Sequence, residues 1–280
     1  MAATPAAEAV TLPSLDHDPA GQPWALPGHW FPAPAGQATG GAVVLLHGCG
    51  GALNPRGGLT QRLRAYSSRL NSLGLGALVL DSLSPRGESE ICTQRYSGRR
   101  VTVAQRAQDA QAALQWLAAQ PGLDAQRLGL IGWSNGGSTV LAAGDARSAG
   151  PVKPAFLVAF YPGCEAALKA GFRPVAPLLL LLGGADDWTP PQPCQALARP
   201  ARGEAPAVEA ETFDGAFHGF DGEPPVRLRR DVPNGVHPGQ GVHVGGDPAA
   251  REAALARLDQ FIRVQAAAQR QSAPSSGASR

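Results

Sequence analysis

The sequence lacks an excess of either charge: 24 Lys and Arg stand against 22 Asp and Glu, a net charge of +2 over 280 residues. That balance argues against a nucleic-acid-binding domain, which needs Lys and Arg clustered on one face. The one short basic run, Arg227, Arg229 and Arg230, reads as a solvated loop face, so no nucleic-acid partner is expected. Long apolar runs are also missing. The longest, residues 177–182, has the length of a buried strand and not the roughly 20 residues that cross a bilayer, so no membrane span is expected. The interior has no Gly/Ser linker and no abrupt change of composition, which points to one domain where length alone allows two. Residues 1–8 carry neither a basic n-region nor an apolar h-region, so they do not read as a signal peptide. They resemble the first residues of a mature chain after a small-residue cleavage site, and that favours a periplasmic or secreted protein over a cytoplasmic one.

Cysteine is scarce. The four are Cys49, Cys92, Cys164 and Cys194. None forms a C-x-x-C pair, and no His/Cys cluster has zinc spacing, so no metal is expected. Two readings stand: four reduced, mostly buried thiols, or the bridges Cys49–Cys92 and Cys164–Cys194. The second suits an exported protein and joins loops that should meet at one end of a sheet.

What is present is apolar material for a core, 44% of residues. Residues 41–46, 76–80, 128–131, 156–160 and 178–182 are apolar without alternation, the pattern of strands buried on both faces. Residues 208–213 read as a last strand, and 10–12 and 30–31 as short early ones. Helical spacing fills the intervals: 59–73 with Gly74 as its stop, 101–119 with a stripe of Val103, Ala107, Ala110, Leu114 and Leu117, then 138–143, 192–198 and 248–265. Strand and helix alternate, which predicts the α/β class with a mostly parallel central sheet and helices on both faces. Sites in such sheets form beyond the carboxyl ends of the strands. The expected layout is a flexible segment over 1–9, one domain over 10–265 and a disordered tail over 266–280. Residues 221–246 form a Gly/Pro-rich loop, long enough to be a candidate functional element.

Gly132-Trp133-Ser134-Asn135-Gly136 matches G-x-S-x-G and lies between a predicted strand and a predicted helix, the context this pattern requires. A chain that reverses sharply at the Ser brings the positions two either side into collision, and glycine there removes it. Ser134 is then the candidate nucleophile, presented over a helix N-terminus that favours negative charge. An ordinary Ser in a Gly-rich turn is the bland alternative, and the flanking elements weigh against it. His47-Gly48-Cys49-Gly50-Gly51 comes directly after the first long buried strand. Such a loop can offer the N–H of Cys49, or of Gly50, to a tetrahedral oxyanion, with Asn135 supplying the second donor. His47 is expected to orient this loop, and Cys49 lacks the elbow of a nucleophile. In chain order Ser, acid, His, the acid is Asp186 or Asp187 just beyond residues 178–182; spacing alone does not separate them. His218, after the last strand, is the candidate base. His17 and His29 precede the sheet, while His237 and His243 lie in the long loop, where they can rim a pocket.

With those residues in place, the sequence resembles the dienelactone hydrolase family of α/β-hydrolases over residues 10–265. The resemblance rests on 47–51, 132–137, 186–190 and 216–220. It implies the α/β-hydrolase fold, an acyl-enzyme mechanism and no metal or organic cofactor. The family's acid stands four residues before a Pro, which favours Asp186 with Pro190 over Asp187. Residues 81–87 with Cys92 resemble a branch of bacterial members, where Arg86 either meets a substrate carboxylate or pins the loop. Gly50, Arg86, Trp133 and Trp188 are the candidate substrate-binding residues, and Tyr161, Phe217 and Phe220 are further aromatics expected near the pocket. Dienelactone hydrolases proper carry Cys where this chain has Ser134, so the resemblance implies mechanism better than it implies the dienelactone. An ester or lactone is the expected small-molecule substrate. The rivals are a serine peptidase or amidase, which would share the triad, and a non-catalytic binding protein on the same scaffold, which would have no need of Ser134, Asp186 and His218 together.

Overall fold

The computed structural model describes residues 7–199 and 206–272. The central sheet is built from β1 (Glu8–His17), β2 (Pro23–Phe31), β3 (Ala42–Leu46), β4 (Gly76–Leu80), β5 (Leu128–Trp133), β6 (Phe156–Phe160), β7 (Leu178–Gly183) and β8 (Val208–Phe213). Their spatial order is β1-β2-β4-β3-β5-β6-β7-β8. From β4 to β8 every neighbour is parallel, whereas β1–β2 and β2–β4 are antiparallel. This is the mostly parallel α/β sheet expected. The strands read as unalternating apolar runs are buried along their whole length.

Successive residues of those strands feed two different layers. Val43 and Leu45 face one core with α1 (Gln61–Ser72) and α6 (Pro248–Ser272), through Leu63, Tyr66, Leu70, Leu258 and Phe261. Val44 and Leu46 face the other core with α2 (Val103–Ala118) and α3 (Asn135–Ala143), through Ala110, Leu114, Leu117 and Val140. Each such Leu contributes about 1.5–3 kcal/mol by leaving water. Thr102 and Gln105 close a capping box at the start of α2, which fixes where that helix begins.

Connections leave β3 in opposite directions, toward β4 on one side and, after β4, across to β5 on the other. A crevice therefore forms beyond the carboxyl ends of β3 and β5, where the chain order reverses. Residues 47–51 and Ser134 both emerge into it.

Several elements differ from the sequence expectation. The early strands form a long hairpin starting at Glu8; Pro13 hid it, but an edge strand tolerates proline, which has no N–H to give to a ladder. A helix of only five residues, α4 (Glu165–Lys169), precedes α5 (Gln192–Leu197) and is too short for periodicity to reveal. Within 221–246 the chain forms a small antiparallel pair, β9 (Arg227–Arg229) with β10 (Val242–Val244). The last helix passes position 265 and continues to Ser272, so residues 266–272 are helical where a disordered tail was expected. Positions 1–6 of the expected flexible segment and 273–280 of the expected tail lie outside the described residues. Among the described residues, no helix is long and apolar enough to cross a membrane.

Candidate active site

Ser134 joins β5 to α3 with φ 53° and ψ −118°, a conformation costly for any residue with a side chain. Its N–H donates to the Phe160 carbonyl at 2.9 Å, which ties the turn to the neighbouring strand. A Cβ on Gly132 would lie 2.2 Å from the Gly136 carbonyl oxygen, and one on Gly136 would lie 2.0 Å from that of Leu46. The two glycines are thus required by backbone contact.

His218 Nε2 lies 2.9 Å from Ser134 Oγ, and His218 Nδ1 lies 2.8 Å from Asp186 Oδ2. The imidazole and both partners are almost wholly buried. A carboxylate can only accept, so Nδ1 carries the proton and the Nε2 lone pair faces the hydroxyl. Asp186 Oδ1 accepts from the N–H groups of Trp188 and Thr189, both at 2.8 Å. The Thr189 hydroxyl stands 3.0 Å from Asp186 Oδ2 and from His218 Nδ1. The rings of Tyr161 and Trp188 pack on the imidazole at 4.7 and 4.6 Å.

The two adjacent carboxylates are separated by their partners. Asp187 turns the other way and accepts from His243 Nδ1 at 2.7 Å and from the His243 N–H at 2.8 Å, while its carbonyl accepts from Val236 N–H. It anchors the long loop and does not reach His218.

Opposite the imidazole, residues 47–51 pass beside the nucleophile. A Cβ on Gly48 would fall 3.6 Å from Ser134 Cβ. The backbone N–H groups of Cys49 and Asn135 donate to no protein acceptor among the described residues. His47 orients this loop, as expected: it is buried, Nδ1 donates to the Gly48 carbonyl at 2.7 Å, and Nε2 accepts from Ser82 N–H at 3.3 Å. Burial, and then the Arg106 cation, hold His47 down to about 3, so it stays neutral.

Arg106, which sequence reasoning missed, lies on α2 with no solvent exposure. Its Nη2 donates to the His47 carbonyl at 2.7 Å, and its Nη1 donates to Asn135 Oδ1. Burial lowers its guanidinium to about 10, still cationic at neutral pH. The available signal was a charged residue standing in the apolar stripe between Val103 and Ala107.

Both bridges are formed, Cys49–Cys92 and Cys164–Cys194, with Cα atoms 4.9 and 5.1 Å apart. Cys49 and Cys164 each stand in the wall of a cavity of about 1080 Å³ that opens at Ser134 and Asn135. Trp188, one of the candidate substrate-binding residues, lines this cavity.

Three other candidates for substrate contact do not line it. Arg86 is engaged by Asp109 and Asp16 at 2.8 Å each and by the Ser82 carbonyl at 2.8 Å, so its charge is taken up in pinning the loop. Trp133 points the opposite way from Ser134, into the core; it stacks on Phe160 and donates to Asp221 Oδ2 at 3.0 Å. Gly50 stands outside the cavity wall, although its neighbour Cys49 is part of it. Phe220 is likewise a core residue, and Phe217 packs on His243. Asp221, also unforeseen, is a buried hub: it accepts from Tyr161, Tyr66 and Trp133 and pairs with Arg62. Burial, with Asp221 beside them, holds both tyrosine hydroxyls well above their ordinary range, so they donate. No group of three His, Cys, Asp or Glu is placed to hold a metal among the described residues.

Residues 33–265 match the model of the dienelactone hydrolase family. No curated protein matches the chain. Among solved structures, a thermophilic esterase of Thermogutta terrifontis, Est2 with propionate bound, superposes with TM-score 0.62 at 20% identity, covering 93% of this chain and 94% of that one. A protein of Klebsiella pneumoniae assigned as a dienelactone hydrolase gives TM-score 0.64 at 17% identity, over 92% and 98%. A puromycin-hydrolyzing peptidase of Mycobacterium tuberculosis gives 0.54 at 22%, over 79% of this chain but 38% of that one. At such identities these likenesses concern the fold.

Proposed function

The chain belongs to the dienelactone hydrolase family, and from that premise we propose a serine hydrolase that cleaves carboxylic esters or lactones through an acyl-enzyme. The observation that carries the reading is the continuous relay from Ser134 Oγ to His218 Nε2 at 2.9 Å and from Nδ1 to Asp186 at 2.8 Å. A serine at its free pKa is a poor nucleophile, so the hydroxyl needs an adjacent base. His218 Nε2 takes the Oγ proton as the oxygen bonds to the substrate carbonyl carbon. The carbonyl oxygen becomes an oxyanion and accepts from the N–H groups of Cys49 and Asn135. Asp186 stabilises the imidazolium, which then protonates the departing alkoxide as the C–O bond breaks. Water, deprotonated by His218, then attacks the acyl carbonyl carbon; the C–Oγ bond breaks, the carboxylic acid leaves, and His218 returns the proton to Ser134 Oγ.

Asp186 is assigned the acid's role and Asp187 is not, because only Asp186 reaches Nδ1. Fluorophosphonate labelling tests the assignment. An adduct on Ser134, absent from Ser134→Ala, together with turnover of p-nitrophenyl acetate is the expected result. A protein that forms no adduct and turns over no ester would instead be a binding module. Cleavage of amides without esters would point to a peptidase or amidase.

A further inference from the structure

The cavity at Ser134 is far larger than the reacting atoms of a small ester, about 1080 Å³. Its wall has two stretches. Near the imidazole it is made by Trp188 and Val236. Away from the imidazole it runs along α3 past Ala142, with Ala107 of α2, next to Gln108 and Gln111, on one flank and Ala166 of α4 and Phe172 on the other. The small side chains leave open space beside α3, and that space is continuous with the hydroxyl. Ala142 stands just over two turns of α3 beyond Ser134, about 12 Å, the reach of an extended chain of about eight to ten carbons. At the far end the wall meets the Arg147–Asp145 ion pair, where apolar contact ends.

The leaving oxygen must receive a proton from His218, so the alcohol lies on the side of Trp188 and Val236. The acyl part is left with the groove along α3. We propose that this groove is an acyl-chain site and that the preferred substrates are esters of unbranched, medium-chain carboxylic acids. The inference rests on the assignment of Ser134 as nucleophile. Each methylene that enters the groove leaves water, and that contact is present in both ground and transition states, so it is read in kcat/KM.

The test uses the full chain and p-nitrophenyl esters from acetate to dodecanoate, each below its micelle concentration. The expected result is a kcat/KM that rises by about tenfold or more from acetate to octanoate or decanoate and stops rising at dodecanoate. Ala142→Trp fills the groove and should lower the decanoate-to-acetate ratio of kcat/KM by about tenfold. Ala166→Trp, at an exposed position of α4, should lower the same ratio and decides the matter if the first variant does not fold. A kcat/KM that falls steadily from acetate onward, or a decanoate-to-acetate ratio that neither tryptophan changes, would overturn the acyl-chain site if Ser134 still labels with fluorophosphonate. Loss of both labelling and ester turnover would overturn the nucleophile assignment itself, and the acyl-chain site with it.

Discussion

Arg106 Nη2 donates to the carbonyl of His47 at 2.7 Å while Nη1 of the same guanidinium donates to Asn135 Oδ1. One buried cation on α2 thus spans the two turns that carry the candidate oxyanion donors. It touches no reacting atom; its part is to hold the spacing of two amides.

Replacing Arg106 should therefore act on turnover more than on binding. For Arg106→Met we expect kcat to fall by about ten- to a hundredfold with KM nearly unchanged, since one whole oxyanion donor is worth about 10²–10³. Stability should also drop by about 1–3 kcal/mol as two acceptors lose their partner. Steady-state kinetics below the melting transition separate the two effects. A folded variant with wild-type kcat would reduce Arg106 to a packing element.

The neighbouring carboxylates give a second contrast. Asp186→Asn should cost about 10⁴ in kcat, because an amide facing Nδ1 favours the wrong tautomer. Asp187→Asn should cost less than about tenfold, because its partners are His243 and the long loop, outside the proton path. Equal losses in the two variants would contradict the division of roles.

How far this site was legible depended on what a sequence pattern encodes. Strands β3, β5 and β7 were readable because burial on both faces leaves an unbroken apolar run. The elbow was readable because the collision at Gly132 and Gly136 admits only glycine. Side-chain direction was not encoded. Trp133 sits beside Ser134 in the chain yet faces the opposite layer, since successive strand residues alternate. The two readings of Arg86, pinning the loop or meeting a substrate carboxylate, could not be separated because its carboxylate partners, Asp16 and Asp109, are distant in sequence. Spacing alone could not choose between Asp186 and Asp187, because the choice is made by the rotation of one turn.

His47 makes stability depend on pH in a defined window. Its folded value is depressed from 6.5 to about 3 by burial and by Arg106. Above pH 6.5 both folded and unfolded forms are neutral, and the stabilisation is complete. Between 6.5 and about 3 the unfolded chain binds the proton that the folded chain refuses, so stability falls with pH, by up to about 1.4 kcal/mol per unit. Urea midpoints across this range should show that slope, and His47→Gln should flatten it. An unchanged slope in the variant would assign the effect to other groups.

The bridges offer a fourth test. Thiol titration of the denatured chain without reductant should find no free cysteine, because all four are bridged. Removing Cys49–Cys92 by the double change Cys49→Ala and Cys92→Ala should cost about 2–4 kcal/mol of stability. It should also lower kcat, since the bridge holds the segment that carries the proposed oxyanion donor, the Cys49 N–H. The same change at Cys164 and Cys194 should lower stability with a smaller effect on kcat.

Asp187 and Asp186 are joined by a single peptide bond, yet one grips His243 and the other aims the imidazole. The loop segment that brings Gly235 and Val236 to the cavity wall and the imidazole beside Ser134 are thus held from neighbouring positions of one turn. A change in either carboxylate therefore bears on both the long loop and the imidazole, because the two share one short turn.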